Sequence, residues 1–74
     1  MDKFEDLVSV LKKVFPSHDV FTLEVIRDEI LEWDSIGHLT LIVEIEDKFH
    51  VRFTKEEIQN LDTILKIYQK IYKI

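Results

Sequence analysis

The sequence contains no cysteine. No disulfide can brace the fold, and four-cysteine zinc sites and Cys-x-x-Cys redox motifs are excluded. Glycine and proline occur once each. A many-stranded β-sandwich needs a turn about every 8 to 12 residues, so that architecture is disfavoured. Basic residues are the minority, 10 Lys and Arg against 15 Asp and Glu, for a formal charge of −5. A nucleic-acid partner is not expected, because a binder needs a basic face to release phosphate counterions. An acidic small domain suits basic protein patches better. Long hydrophobic runs are also missing; the apolar stretches fall far short of the roughly 20 residues of a membrane span. The opening residues alternate charged and apolar positions, unlike a secretory signal. A cytoplasmic location and a monomer are expected.

What the chain does have is apolar side chains, 46% of its 74 residues. That suffices for one helical domain over residues 1–74 and not for two. In residues 2–15, Phe4, Leu7, Val8, Leu11, Val14 and Phe15 recur at the spacing of an amphipathic helix. Acids open this segment and Lys12 and Lys13 close it, as the helix dipole favours. Pro16 should stop it at Phe15. Residues 16–34 form a long connection rich in Val20, Phe21, Leu23, Val25, Ile26, Ile30, Leu31 and Trp33. Such a connection is expected to pack across the helices, with Trp33 as its anchor and Thr22 capping a short helix.

Residues 35–49 alternate like a strand and also carry a helical stripe of Ile36, Leu39, Ile42, Ile45 and Phe49. Fifteen residues without a turn signal exceed a strand of about 5 or 6, so a helix is predicted, with Leu41 and Val43 widening its buried face. After an extended link at 50–53, Thr54 and Glu57 form a capping box for a helix of about two turns. Asp62 or Thr63 caps a last helix bearing Ile64, Ile67, Tyr68 and Ile71, whose Lys66, Lys70 and Lys73 complement its dipole. The sum is an all-α, up-and-down type four-helix bundle with a long first loop and a short third helix.

Asp34, Ser35 and His38 name the side chains of a hydrolase triad. Geometry argues against one. Ser35 and His38 are three apart on a helix and can touch, yet Asp34 is poorly placed to orient the far imidazole nitrogen, and no glycine-rich turn offers an oxyanion hole. His38 then reads as a partly exposed helix residue. Two readings of Ser35 remain open. It is an N-cap, a role in which Ser and Asp excel. Or it is an attachment point, since a phosphodiester there sits at the positive end of a helix. Gly37 is either tolerated or leaves the surface beside Ser35 open to an incoming enzyme.

The segment "DSIGHLTLIVEIEDKF" resembles the attachment segment of acyl carrier proteins and peptidyl carrier domains. Asp34, Ser35 and Ile36 are followed by the apolar helix positions Leu39, Ile42, Val43 and Ile45, then by Glu46, Asp47 and Phe49. Leu31 matches an apolar loop position, and "VRFTKEEIQNLDTILKIYQKI" is similar to the family's third and fourth helices. The likeness covers residues 30–72 well and the first helix loosely. It implies that Ser35 receives a 4′-phosphopantetheine arm from coenzyme A, transferred by a phosphopantetheinyl transferase. The chain itself would be no enzyme. It would carry acyl or aminoacyl groups as thioesters between a loading ligase and downstream transferases, the thiol coming from the arm and not from a cysteine. It further implies partner recognition by Asp34, Ile36, Glu44, Glu46 and Asp47. Gly37, His38 and Thr40 stand where fatty-acid-synthesis carriers usually have acidic or small polar residues. That departure looks more like stand-alone carriers of specialised pathways, and "LIVEIEDKF" is similar to D-alanyl carrier proteins. The alternative is an interaction domain of the same fold without the arm.

Overall fold

A computed structural model describes residues 3–73. Asp2, placed in the first helix by its charge, lies outside the described residues. Among those described, the chain is all-α: α1 (Lys3–Val14), α2 (Ser35–Phe49), α3 (Lys55–Asn60) and α4 (Ile64–Tyr72). Phe15 is no longer helical, although its N–H still bonds Leu11 at 2.8 Å. The long first connection and short third helix match the predicted bundle. The longest helix has 15 residues, and none is long and apolar enough to cross a membrane.

The core gathers α1, α2 and α4. Leu7 and Leu11, Leu41 and Ile45, and Ile64 and Ile67 are fully buried, with Phe15 beside them. Short α3 relies on its cap. Thr54 Oγ1 accepts from the Glu57 N–H at 3.1 Å, and Glu57 Oε1 accepts from the Thr54 N–H at 2.7 Å. Thr63, rather than Asp62, caps α4 by accepting from the Lys66 N–H at 3.0 Å. Lys66 pairs with Asp62 at 2.9 Å, and Lys70 pairs with Glu57. These two lysines are thus held by carboxylates on the bundle surface.

Three expectations are corrected. Thr22 caps no helix; its hydroxyl bonds Glu24, and the connection holds a single 3₁₀ turn at Arg27–Glu29. The reason is a backbone commitment just before that turn. Ile26 forms an antiparallel bridge with Thr63, Ile64 N–H bonds Val25 O at 3.1 Å, and Arg27 N–H bonds Asp62 O at 2.9 Å. The extended backbone of Ile26, φ −111° and ψ 163°, cannot coexist with a helix running through it. Second, the connection packs only in part. Phe21, Val25, Ile30 and Trp33 are buried, whereas Val20, Ile26 and Leu31 face outward, Leu31 almost completely.

Third, α2 buries only part of the face predicted for it: Leu41, Ile42, Ile45 and Phe49 turn inward as expected, and Ile36, Leu39 and Val43 do not. His38, Leu41, Ile42 and Ile45 are buried and Phe49 packs against the core. Ile36, Leu39 and Val43 are 77%, 59% and 61% exposed. Both sets follow helical spacing. Period alone therefore left open where the edge of the buried face falls, and a histidine at 38 argued against the edge that is buried.

Candidate functional site

The site is built where the first connection meets α2. At Asp34 the chain is still extended, with φ −90° and ψ −166°. Its carboxylate accepts from the Gly37 N–H at 2.8 Å, and its carbonyl accepts from the His38 N–H at 2.8 Å. Asp34 is therefore the N-cap, and Ser35 is the first helical residue instead of the cap. The division of labour matters chemically. With capping done by its neighbour, the exposed Ser35 hydroxyl has no hydrogen-bond partner among the described residues. It stands at the positive end of α2, whose first turn holds no acidic side chain. An anionic ester on this oxygen meets the helix dipole and free N–H groups.

Gly37 corrects both of its readings. A Cβ on it would collide with the carbonyl of Glu32, and would crowd the Asp34 carboxylate at 3.3 Å. The missing side chain makes room for the chain's own loop, not for an enzyme. The Glu32 backbone lies against the first turn of α2, and this close approach requires glycine.

His38 is not partly exposed; it is 6% exposed and fully bonded. Its Nδ1 accepts from the Trp33 indole N–H at 2.8 Å, and its Nε2 lies 2.7 Å from the Ile58 carbonyl oxygen. An indole only donates and a carbonyl only accepts, so the proton sits on Nε2. Both ring nitrogens are committed to the interior, and neither can take a proton from Ser35. The contact that helical spacing allowed between Ser35 and His38 is absent, and the triad is dismantled. Trp33 is the anchor the sequence indicated: 2% exposed, and stacked on Phe15 at 5.6 Å between ring centres. Its carbonyl accepts from Arg27 Nε at 2.9 Å.

The other four residues named for recognition are not equivalent. Ile36 and Asp47 are exposed. Glu44 bonds Lys13 Nζ at 2.9 Å, and this carboxylate holds the Lys13 ammonium above its ordinary range. Glu46 Oε2 accepts from the Phe53 N–H at 3.0 Å, tying the end of α2 to the 50–53 link. Asp34 is occupied as a cap. Before Ser35 and along α2 after it, Leu31, Ile36, Leu39 and Val43 are all outward. Sequence reasoning placed Leu39 and Val43 in the core. The spacing of 36, 39 and 43, three then four, was the signal of a second face. An open cleft of about 940 Å³ lined by His50, Phe53, Leu61 and Lys70 lies at the other end of α2 and does not include Ser35.

No family model matches the chain. Two curated proteins are similar to it, the acyl carrier proteins of Arthrobacter sp. (strain FB24) and Paenarthrobacter aurescens (strain TC1). Each is 47% identical over 36 residues, which is 49% of this chain. The match spans 44% of the length of each relative. The fold is similar over 99% of this chain, and 85% of the other, to the solution structure of holo acyl carrier protein from Geobacter metallireducens. The TM-score is 0.86 at 27% identity.

Proposed function

We propose that this chain, which belongs to the acyl carrier protein family, carries acyl or aminoacyl groups as thioesters on a 4′-phosphopantetheine arm at Ser35. The observation that carries this reading is the division of roles at the start of α2. Asp34 caps the helix, and the serine oxygen is left exposed and unbonded at its positive end. The arm would supply the thiol; this chain has none. Its own residues do the presenting. Asp34 and Gly37 fix the first turn, and the Trp33–His38–Ile58 chain of hydrogen bonds fixes the loop against α2 and α3.

The chain is a carrier and not a catalyst in this reading. A phosphopantetheinyl transferase attaches the arm, a ligase loads it, and transferases unload it. Ile36 and Asp47 are offered outward for recognition, beside Leu31, Leu39 and Val43. Glu44 and Glu46 meet a partner only by leaving Lys13 and the Phe53 backbone. Asp34 contributes by shaping the helix end.

Co-expression with a broad-specificity phosphopantetheinyl transferase, followed by intact mass, tests the attachment. One phosphopantetheine is expected on the wild type and none on Ser35→Ala. An unmodified wild type, or equal addition to the variant, would sink the proposal and favour an interaction domain without the arm.

A further inference from the structure

We infer that this carrier holds its cargo outside the bundle and is therefore fitted to short or polar acyl and aminoacyl groups. The inference rests on Ser35 as the attachment point. A long apolar tail on that oxygen gains free energy only if it leaves water. A way inward close to Ser35 in the chain is the seam where the first turn of α2 meets α3, at His38 and Ile58.

His38 closes that seam. Its buried ring spans from the Trp33 indole at 2.8 Å to the Ile58 carbonyl of α3 at 2.7 Å. The Trp33 and His38 rings lie nearly parallel, 22° apart, with the indole stacked in turn on Phe15. Trp33 O accepts from the Arg27 side chain, and the Arg27 N–H bonds Asp62 O before α4. Polar bonds thus fasten loop, α2, α3 and the approach to α4 at the end that carries Ser35. An apolar tail entering here would leave the indole N–H and the imidazole buried without partners, and would offer none in return. Behind the seam, Leu41, Ile45, Ile64 and Ile67 are fully buried and already in contact with one another's cluster. The His50 edge of the open cleft lies about 20 Å along the α2 axis from Ser35, and none of the residues lining the cleft belongs to α2.

The test loads the full chain from acetyl-, octanoyl- and glycyl-coenzyme A with a broad-specificity transferase. Thermal midpoints and the indole N–H resonance of the single tryptophan are then compared. The three forms are expected to melt within about 2 °C of one another, with the indole resonance unmoved. An octanoyl form melting about 10 °C or more above the acetyl form, with a shifted indole resonance, would show a buried tail and overturn the inference. His38→Leu, read against its own acetyl form so that lost stability cancels, is expected to gain a chain-length dependence. A variant that folds and shows none overturns the role given to His38. If His38→Leu does not fold, the wild-type series decides alone. Failure to acquire any arm is a separate outcome, seen by mass, and counts against the attachment itself.

Discussion

Ser35 is available because its neighbours do the structural tasks. Asp34 takes the cap, Gly37 admits the loop, and His38 turns inward to bind Trp33 and Ile58. Gly37 gives the sharpest test at this scale. Alanine is the better helix former by about 1 kcal/mol, so propensity alone predicts that Gly37→Ala stabilises. The Glu32 carbonyl predicts the reverse, since the added methyl collides with backbone that cannot swing away. Gly37→Ala is expected to lose about 1–3 kcal/mol, the range of overpacking, in urea unfolding at neutral pH. A stabilised variant would mean that the loop yields freely.

At the scale of elements, α3 is too short to hold itself, with six residues and no fully buried side chain. Its Glu57 serves two bonds, one to the Thr54 N–H and one to Lys70 of α4. The Lys70 hydrogen bond, then the bond from the Thr54 backbone, holds the Glu57 carboxyl below its ordinary range. Lys66 does the same to Asp62. A carboxyl lowered by folding stabilises the folded state above its unfolded value, and the contribution is lost as pH falls through the lower folded value. Stability should therefore decline as pH drops below about 4, near the unfolded carboxyl values. Glu57→Gln is expected to be less stable than wild type at pH 7 and to show a flatter decline toward pH 3, read from urea midpoints. Parallel curves would remove Glu57 from the acid limb. The two helical faces of α2 belong to the same scale. Ile36, Leu39 and Val43 satisfy the helical period as well as the buried set does. Only the partners across the interface choose between them.

Seen whole, the bundle has unlike ends. The Ser35 end is fastened by hydrogen bonds and rimmed by exposed apolar side chains, while the clefts lie toward His50 and Lys70. Docking along the outward face of α2, from Ile36 beside Ser35 to Asp47 in its last turn, is expected to combine two contributions of different salt dependence. Asp47→Lys should slow loading by the cognate ligase or transferase at low salt and less so at high salt. Leu39→Ser should slow it about equally at both, because apolar contact is not screened. A Leu39→Ser variant with wild-type loading kinetics would remove this face from docking. Glu46→Lys is a poorer probe, since it also removes the bond to the Phe53 backbone. The sequence by itself determined the order and type of the helices, because caps and periods are written locally: the Asp34–Ser35 start, the Thr54–Glu57 box, Pro16. It also displayed the segment around Ser35 that resembles the attachment segment of acyl carrier proteins. Only the tertiary structure decided which face of α2 is buried, why position 37 is glycine, and that His38 is a buried tie. Each of these depends on atoms distant along the chain, the Ile58 carbonyl above all, or on how the loop folds back over the helix end. Spacing along one segment carries no information about them.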